Sequence, residues 1–104
     1  MNYQEFKSWL EENSRGYKIF LNKTTDWQNE KNVKRTGKTK KWNEAKIARV
    51  VNGMWSDVVK NAYEKIKSEK GVAKYNGYQI WLTFLDEIEF LENFDDGIAE
   101  LEFE

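Results

Sequence analysis

Nine carboxylates and not one Lys or Arg occupy residues 75–104: Asp86, Glu87, Glu89, Glu92, Asp95, Asp96, Glu100, Glu102 and Glu104. Carboxylates at this density can hold a divalent cation or present negative charge to a basic partner. They alternate with apolar residues, so folding would fix them in place rather than leave them on a loose tail. A rigid array of that kind resembles the spaced charges of a nucleic-acid backbone and would be steered toward a basic groove. The plain alternative is a solvated face that keeps the chain in solution.

A second constellation has the opposite sign. Residues 31–49 hold Lys31, Lys34, Arg35, Lys38, Lys40, Lys41, Lys46 and Arg49 against Glu44 alone, a local charge of +7, while the whole chain carries −1. With Trp27 and Trp42 at its margins, this segment could contact phosphates and stack a base. Against that stands a sequence pI of about 5.6, because dedicated nucleic-acid-binding domains are commonly basic. The charges could instead balance the acidic segment, within one chain or between two copies.

Smaller motifs are weaker. Gly37-Lys38-Thr39 looks like the end of a phosphate-binding loop, but the earlier glycine would have to stand at position 32, which is Asn32. Asp26 with Glu44-x-Lys46 matches the acidic and lysine spacing of some metal-dependent nucleases, a match that 34% charged residues make common by chance. A helix-turn-helix can be sketched on residues 44–66 with Asn52-Gly53 as its turn, although the supposed recognition stretch is poor in cations. Cys and His are absent, which removes disulfides, thiolate catalysis, imidazole bases and Cys- or His-ligated metals.

The elements that must position these charges follow from apolar spacing. Tyr3, Phe6, Trp9 and Leu10 share one helical face, which predicts a helix over 3–13. Tyr17, Ile19 and Leu21 alternate and predict a short strand. Residues 22–42 have no apolar period and read as a long basic loop anchored by Trp27. Ile47, Val50, Val51, Met54, Val58, Ala62 and Ile66 predict a helix over 43–69, capped by Asn43 and ended by Gly71. Gly53 leaves open one tolerant helix or two with a turn. Trp55 stands slightly off that stripe, which suggests a partly exposed contact residue.

Asn76-Gly77 predicts a hairpin turn. Residues 78–94 have apolar spacing that also fits a helix throughout, and the favoured reading is a strand at 78–84 passing into a helix at about 85–94. Asp95-Asp96-Gly97 reads as a turn, and Ala99, Leu101 and Phe103 alternate as a strand.

The predicted fold is therefore α+β: one small domain, residues 1–104, with an N-terminal helix, a long central helix and a small antiparallel sheet. The basic loop spans about 22–42 and the acidic C-terminal region about 85–104. Neither a signal-peptide layout nor an apolar run of about 20 residues is evident, so the expected location is cytoplasmic, away from membranes.

Nothing forms a nucleophile–base pair, so the expected function is non-catalytic, with no cofactor and no metal. The leading reading is a protein-binding module, in the manner of a phage or mobile-element inhibitor active against host defence. Its acidic, nucleic-acid-mimicking surface, carried by Asp86, Glu87, Glu89, Glu92, Asp95 and Asp96, would block a basic groove on a nucleic-acid-handling protein. Tyr78 and Trp81 would add flanking apolar contacts. The alternative is direct nucleic-acid binding through Lys34, Arg35, Lys38, Lys40, Lys41 and Arg49, and a homo-oligomer pairing basic loop with acidic face is a third arrangement.

Overall fold

The computed structural model describes residues 1–35 and 41–103. Among them the chain forms five helices and no strand: α1 (Tyr3–Asn13), α2 (Gly16–Val33), α3 (Glu44–Lys70), α4 (Gly77–Glu87) and α5 (Phe90–Ala99). The α+β expectation with its antiparallel sheet is overturned.

Each missing strand has a local reason. Residues 17–21 lie in α2, whose buried positions are Gly16, Phe20, Thr24 and Gln28. That stripe repeats every four residues, but two of its members are polar and one has no side chain, so hydropathy conceals it. It also makes helix of residues 22–33, which the sequence read as loop. Residues 78–84 lie in α4, where Trp81 and Leu85 face inward at i, i+4 and Tyr78 and Ile80 stay exposed. The alternation at 99–103 is not a ladder, because α5 runs to Ala99 and the residues beyond it lie along α2.

Where the helical period and the caps agree, sequence and structure coincide. α1 opens with a capping box: the Asn2 side chain accepts from the Glu5 amide at 2.8 Å, and the Glu5 carboxylate accepts from the Asn2 amide at 2.9 Å. Asn43 caps α3 by accepting from the Lys46 amide at 2.8 Å. Gly71 ends α3 at φ +64°, a conformation that glycine adopts without penalty.

Between those caps α3 runs unbroken for 27 residues, about 40 Å at 1.5 Å per residue. It sets the long dimension of a molecule measuring 56 × 25 × 21 Å. The two-helix alternative and the helix-turn-helix sketch both end here. Gly53 is an ordinary exposed helical position, with no atom within 4 Å of a Cβ placed on it. Gly53→Ala is therefore expected to stabilise the fold by about 1 kcal/mol through lost unfolded-state freedom, a gain that urea unfolding monitored by circular dichroism would read.

The core is built on rings. Trp55, expected to be partly exposed, is only 1% exposed and stands at the centre of the true buried stripe of Ile47, Val51, Trp55, Val59, Tyr63 and Ile66. Tyr17 and Phe20 of α2 pack on it with centroids 4.8 and 5.5 Å away, and Phe94 of α5 meets it edge-on at 5.9 Å. A second cluster joins α1, α3, α4 and α5, with Phe6 5.9 Å from Tyr63, 5.9 Å from Trp81 and 5.8 Å from Phe90. Burying such rings, at roughly 150–250 Å² each, supplies most of the apolar burial that a charge-rich chain can achieve.

Candidate functional site

The acidic residues sit on α4, α5 and the link between them. Asp86 and Glu87 occupy the last turn of α4, Glu92 the first turn of α5, and Glu89 the connecting position. Glu89 adopts φ +53°, ψ +44°, the left-handed conformation that side chains disfavour. That single residue turns the chain between the two helices.

Asp86, Glu87, Glu89, Glu92 and Asp96 are all exposed. Three of them, Asp86, Glu89 and Glu92, come together on the rim of a groove of ≈ 380 Å³. Its apolar surface comes from Leu82 and Leu85 of α4, Phe90 and Leu91 of α5, and Trp9 of α1. Glu87 instead faces a neighbouring depression that it shares with Lys70. Asp96 lines another hollow together with Arg15 and Glu92. Trp9, which shares a helical face with Phe6 and Leu10, is only half-buried and brings an aromatic edge to the acidic groove.

Asp95 belongs to the fold rather than to the outward array. Its carboxylate accepts from the Ser14 hydroxyl, from the Arg15 amide at 3.2 Å and from the Gly16 amide at 2.9 Å. These are the free donors at the start of α2, which has no side-chain cap of its own. Gly16 permits the approach, since a Cβ there would stand 3.0 Å from the Asp95 carboxylate and 3.2 Å from Ile98. The expected Asp95-Asp96-Gly97 turn is likewise absent, because all three residues lie within α5.

The two aromatic candidates separate. Tyr78 is 43% exposed on α4 and available for contact. Trp81 is fully buried; its indole donates to the Gly71 carbonyl at 2.8 Å, and its ring packs against Tyr63 at 5.2 Å. It holds α4 against the end of α3 and cannot touch a partner. The Asn76-Gly77 hairpin is also corrected. Asn76 does take positive φ, at +55°, but it leads into α4.

Lys31, Lys34 and Arg35 collect at the end of α2, and Lys41, Lys46 and Arg49 around the start of α3. Lys38 and Lys40, and with them the Gly37-Lys38-Thr39 motif, lie outside the described residues, as does Glu104. Asn32 clasps the two helices: its amide donates to the Trp42 carbonyl at 2.9 Å and its oxygen accepts from the Trp42 amide at 2.8 Å. Nothing in the residue pattern around Asn32 signals that role.

Cations here lean on rings. The Arg35 guanidinium lies 4.0 Å and the Lys46 ammonium 4.7 Å from the Trp42 ring centre. Lys31 lies 4.4 Å from Trp27, which also stacks on Phe103 at 4.6 Å. Lys23 reaches the C-terminal segment, but it donates to the backbone carbonyls of Ala99 and Leu101 rather than to a glutamate.

Asp95 docks at the first turn of α2, and the basic group begins in its last turn. From Gly16 to Lys31 α2 advances 15 residues, about 22 Å, between two and three screening lengths at physiological salt. The carboxylates on α5 therefore stand apart from the basic end, whereas the C-terminal segment beyond α5 does not, since Phe103 stacks on the Trp27 ring that Lys31 also overlies.

Elsewhere the Tyr17 phenol is pushed above its ordinary value by burial first, then by the charge of nearby Glu11 and a hydrogen bond with it. Among the described residues no cluster of carboxylates is arranged to hold a metal ion, and no helix is long and apolar enough to cross a membrane. Comparisons with protein-family models, with curated proteins and with solved structures give no match.

Proposed function

We propose that this protein is a non-catalytic, cytoplasmic protein-binding module that seats its acidic α4–α5 face on a basic groove of a nucleic-acid-handling partner. The observation that carries the reading is the groove in which Asp86, Glu89 and Glu92 rim an apolar surface including Trp9, Leu82 and Leu91. Solvated acidic faces do not require an apolar floor. A contact surface benefits from one, because exposed carboxylates give steering and specificity while buried apolar area gives affinity. Tyr78 extends the contact along α4. Occupying such a groove would exclude nucleic acid, the mode of action of a phage or mobile-element inhibitor.

Co-purification from the native cell followed by competition tests this reading. The captured partner is expected to bind nucleic acid, to be released by added duplex, and to lose its own nucleic-acid binding in the presence of this protein. A partner that keeps nucleic acid and this protein bound together contradicts it.

Direct nucleic-acid binding is the second reading, favoured by the collection of Lys31, Lys34, Arg35, Lys41, Lys46 and Arg49 at one end. It requires rearrangement, since Trp42 already has its own cations over its ring. It predicts a mobility shift of labelled DNA or RNA that weakens as salt rises; no shift near ~50 mM salt removes it.

A further inference from the structure

One face of α2 carries Lys23, Trp27 and Lys31 at four-residue spacing, a ring between two cations. The segment that follows α5 lies along this line. Lys23 donates to the backbone carbonyls of Ala99 and, at 3.0 Å, of Leu101. Trp27 stacks on Phe103 with ring centroids 4.6 Å apart and planes 18° from parallel. Lys31 sets its ammonium 4.4 Å from the same Trp27 ring centre. Residues 101–103 belong to no helix, and Glu100 and Glu102 stay exposed. Apart from Leu101, which packs against the core, the segment is held by the Lys23 hydrogen bonds and one stacked ring.

We propose that the Lys23–Trp27–Lys31 face is a docking site for single-stranded nucleic acid, covered in the free protein by the C-terminal segment acting as a displaceable strap. The inference rests on the direct nucleic-acid reading above and names its ligand class and its regulation. The strap makes the contacts a nucleotide strand would make, with oxygen acceptors at Lys23 and a flat ring on Trp27. A base offers Trp27 a π face of its own, and phosphates offer Lys23 charged acceptors in place of neutral carbonyls. Asp26 and Glu30 flank the line on α2, so stacking rather than net charge must carry the affinity. That selects a single strand, whose base faces are open, over a duplex, whose bases already stack on one another. Displacing the strap also removes Glu102, a carboxylate beside the stacked ring. Trp42 is not the platform, because Asn32 clasps its backbone and Arg35 and Lys46 lie over its ring.

Fluorescence anisotropy of a labelled mixed-sequence DNA strand of about 20 nucleotides, titrated at ~50 mM salt, tests it. The wild-type chain is expected to bind weakly. Phe103→Ala should keep the helical circular dichroism and tighten binding about tenfold, because the site no longer waits for the strap to open. Phe103→Leu keeps apolar volume without the flat ring; it should give part of the gain and serves if alanine perturbs the fold. Adding Trp27→Ala should remove the gain, and the same sequence as a duplex should gain less than the single strand. Equal affinities for the wild type and both Phe103 variants overturn the strap while leaving nucleic-acid binding in place. Absence of binding by all three overturns the nucleic-acid reading and this inference with it. A gain that survives Trp27→Ala, or a duplex bound more tightly than the single strand, overturns the stacking site.

Discussion

Trp81→Ala is expected to lower stability by about 3–5 kcal/mol, a large fraction of the 5–15 kcal/mol typical of a domain. Trp81 is fully buried, its ring touches Phe6 and Tyr63, and its indole ties α4 to the Gly71 carbonyl at the end of α3. Alanine removes the ring, leaves a cavity among three helices and frees the link between α3 and α4. Trp81→Phe should cost less, since it keeps apolar volume and the carbonyl of exposed Gly71 can turn to water. Urea unfolding followed by far-ultraviolet circular dichroism separates the two. A loss below about 1 kcal/mol for the alanine variant would mean that the core is not organised around this ring.

The second large effect is expected at Asp95. Asp95→Ala removes the acceptor for the Ser14 hydroxyl and for the Arg15 and Gly16 amides in one step. With no side-chain cap of its own, α2 would begin with unsatisfied donors. The expected cost is about 2–3 kcal/mol, the upper range for a cap because the acceptor is charged and lies at the positive end of a helix dipole. Asp95→Asn keeps an acceptor and should recover part of the loss. Partner binding by the folded Asp95→Ala protein should stay near the wild-type level, which distinguishes a residue that fixes α2 from one that meets the partner.

What the sequence disclosed depended on whether helical period and capping chemistry agreed. α1 was legible from Tyr3, Phe6 and Leu10, and α3 from Asn43, the Ile47 stripe and Gly71. α2 was not, because Thr24 and Gln28 occupy core-facing positions with Thr24 Oγ1 and Gln28 Oε1 unpartnered, so the buried face does not look apolar. α4 was ambiguous because Ile80 and Ile88 stay exposed while Trp81 and Leu85 are buried, and the surplus apolar residues supply a false alternation. A sheet was inferred where local alternation extended over only three periods, and helical tertiary packing overrode it.

The outward carboxylates of the acidic face were legible, since charge seldom lies buried without a partner. The role of Asp95 was not, because its partners stand 79–81 residues earlier in the chain. Trp9, Trp55 and Trp81 show the same limit from the other side. Their type announces large buried area, but which edge remains open is decided by the packing of α1 against α4 and α5.

The central claim is that the carboxylates above the Trp9 groove make the contact. Its most direct measurement is the affinity of the co-purified partner for the triple variant Asp86→Lys, Glu89→Lys and Glu92→Lys, with helical content checked by circular dichroism. All three residues are exposed, so the helices should remain. The expected result is at least about a hundredfold loss of affinity, since each reversal turns an attraction into a repulsion across the interface. A correctly folded triple variant that binds as tightly as the wild type would contradict the account.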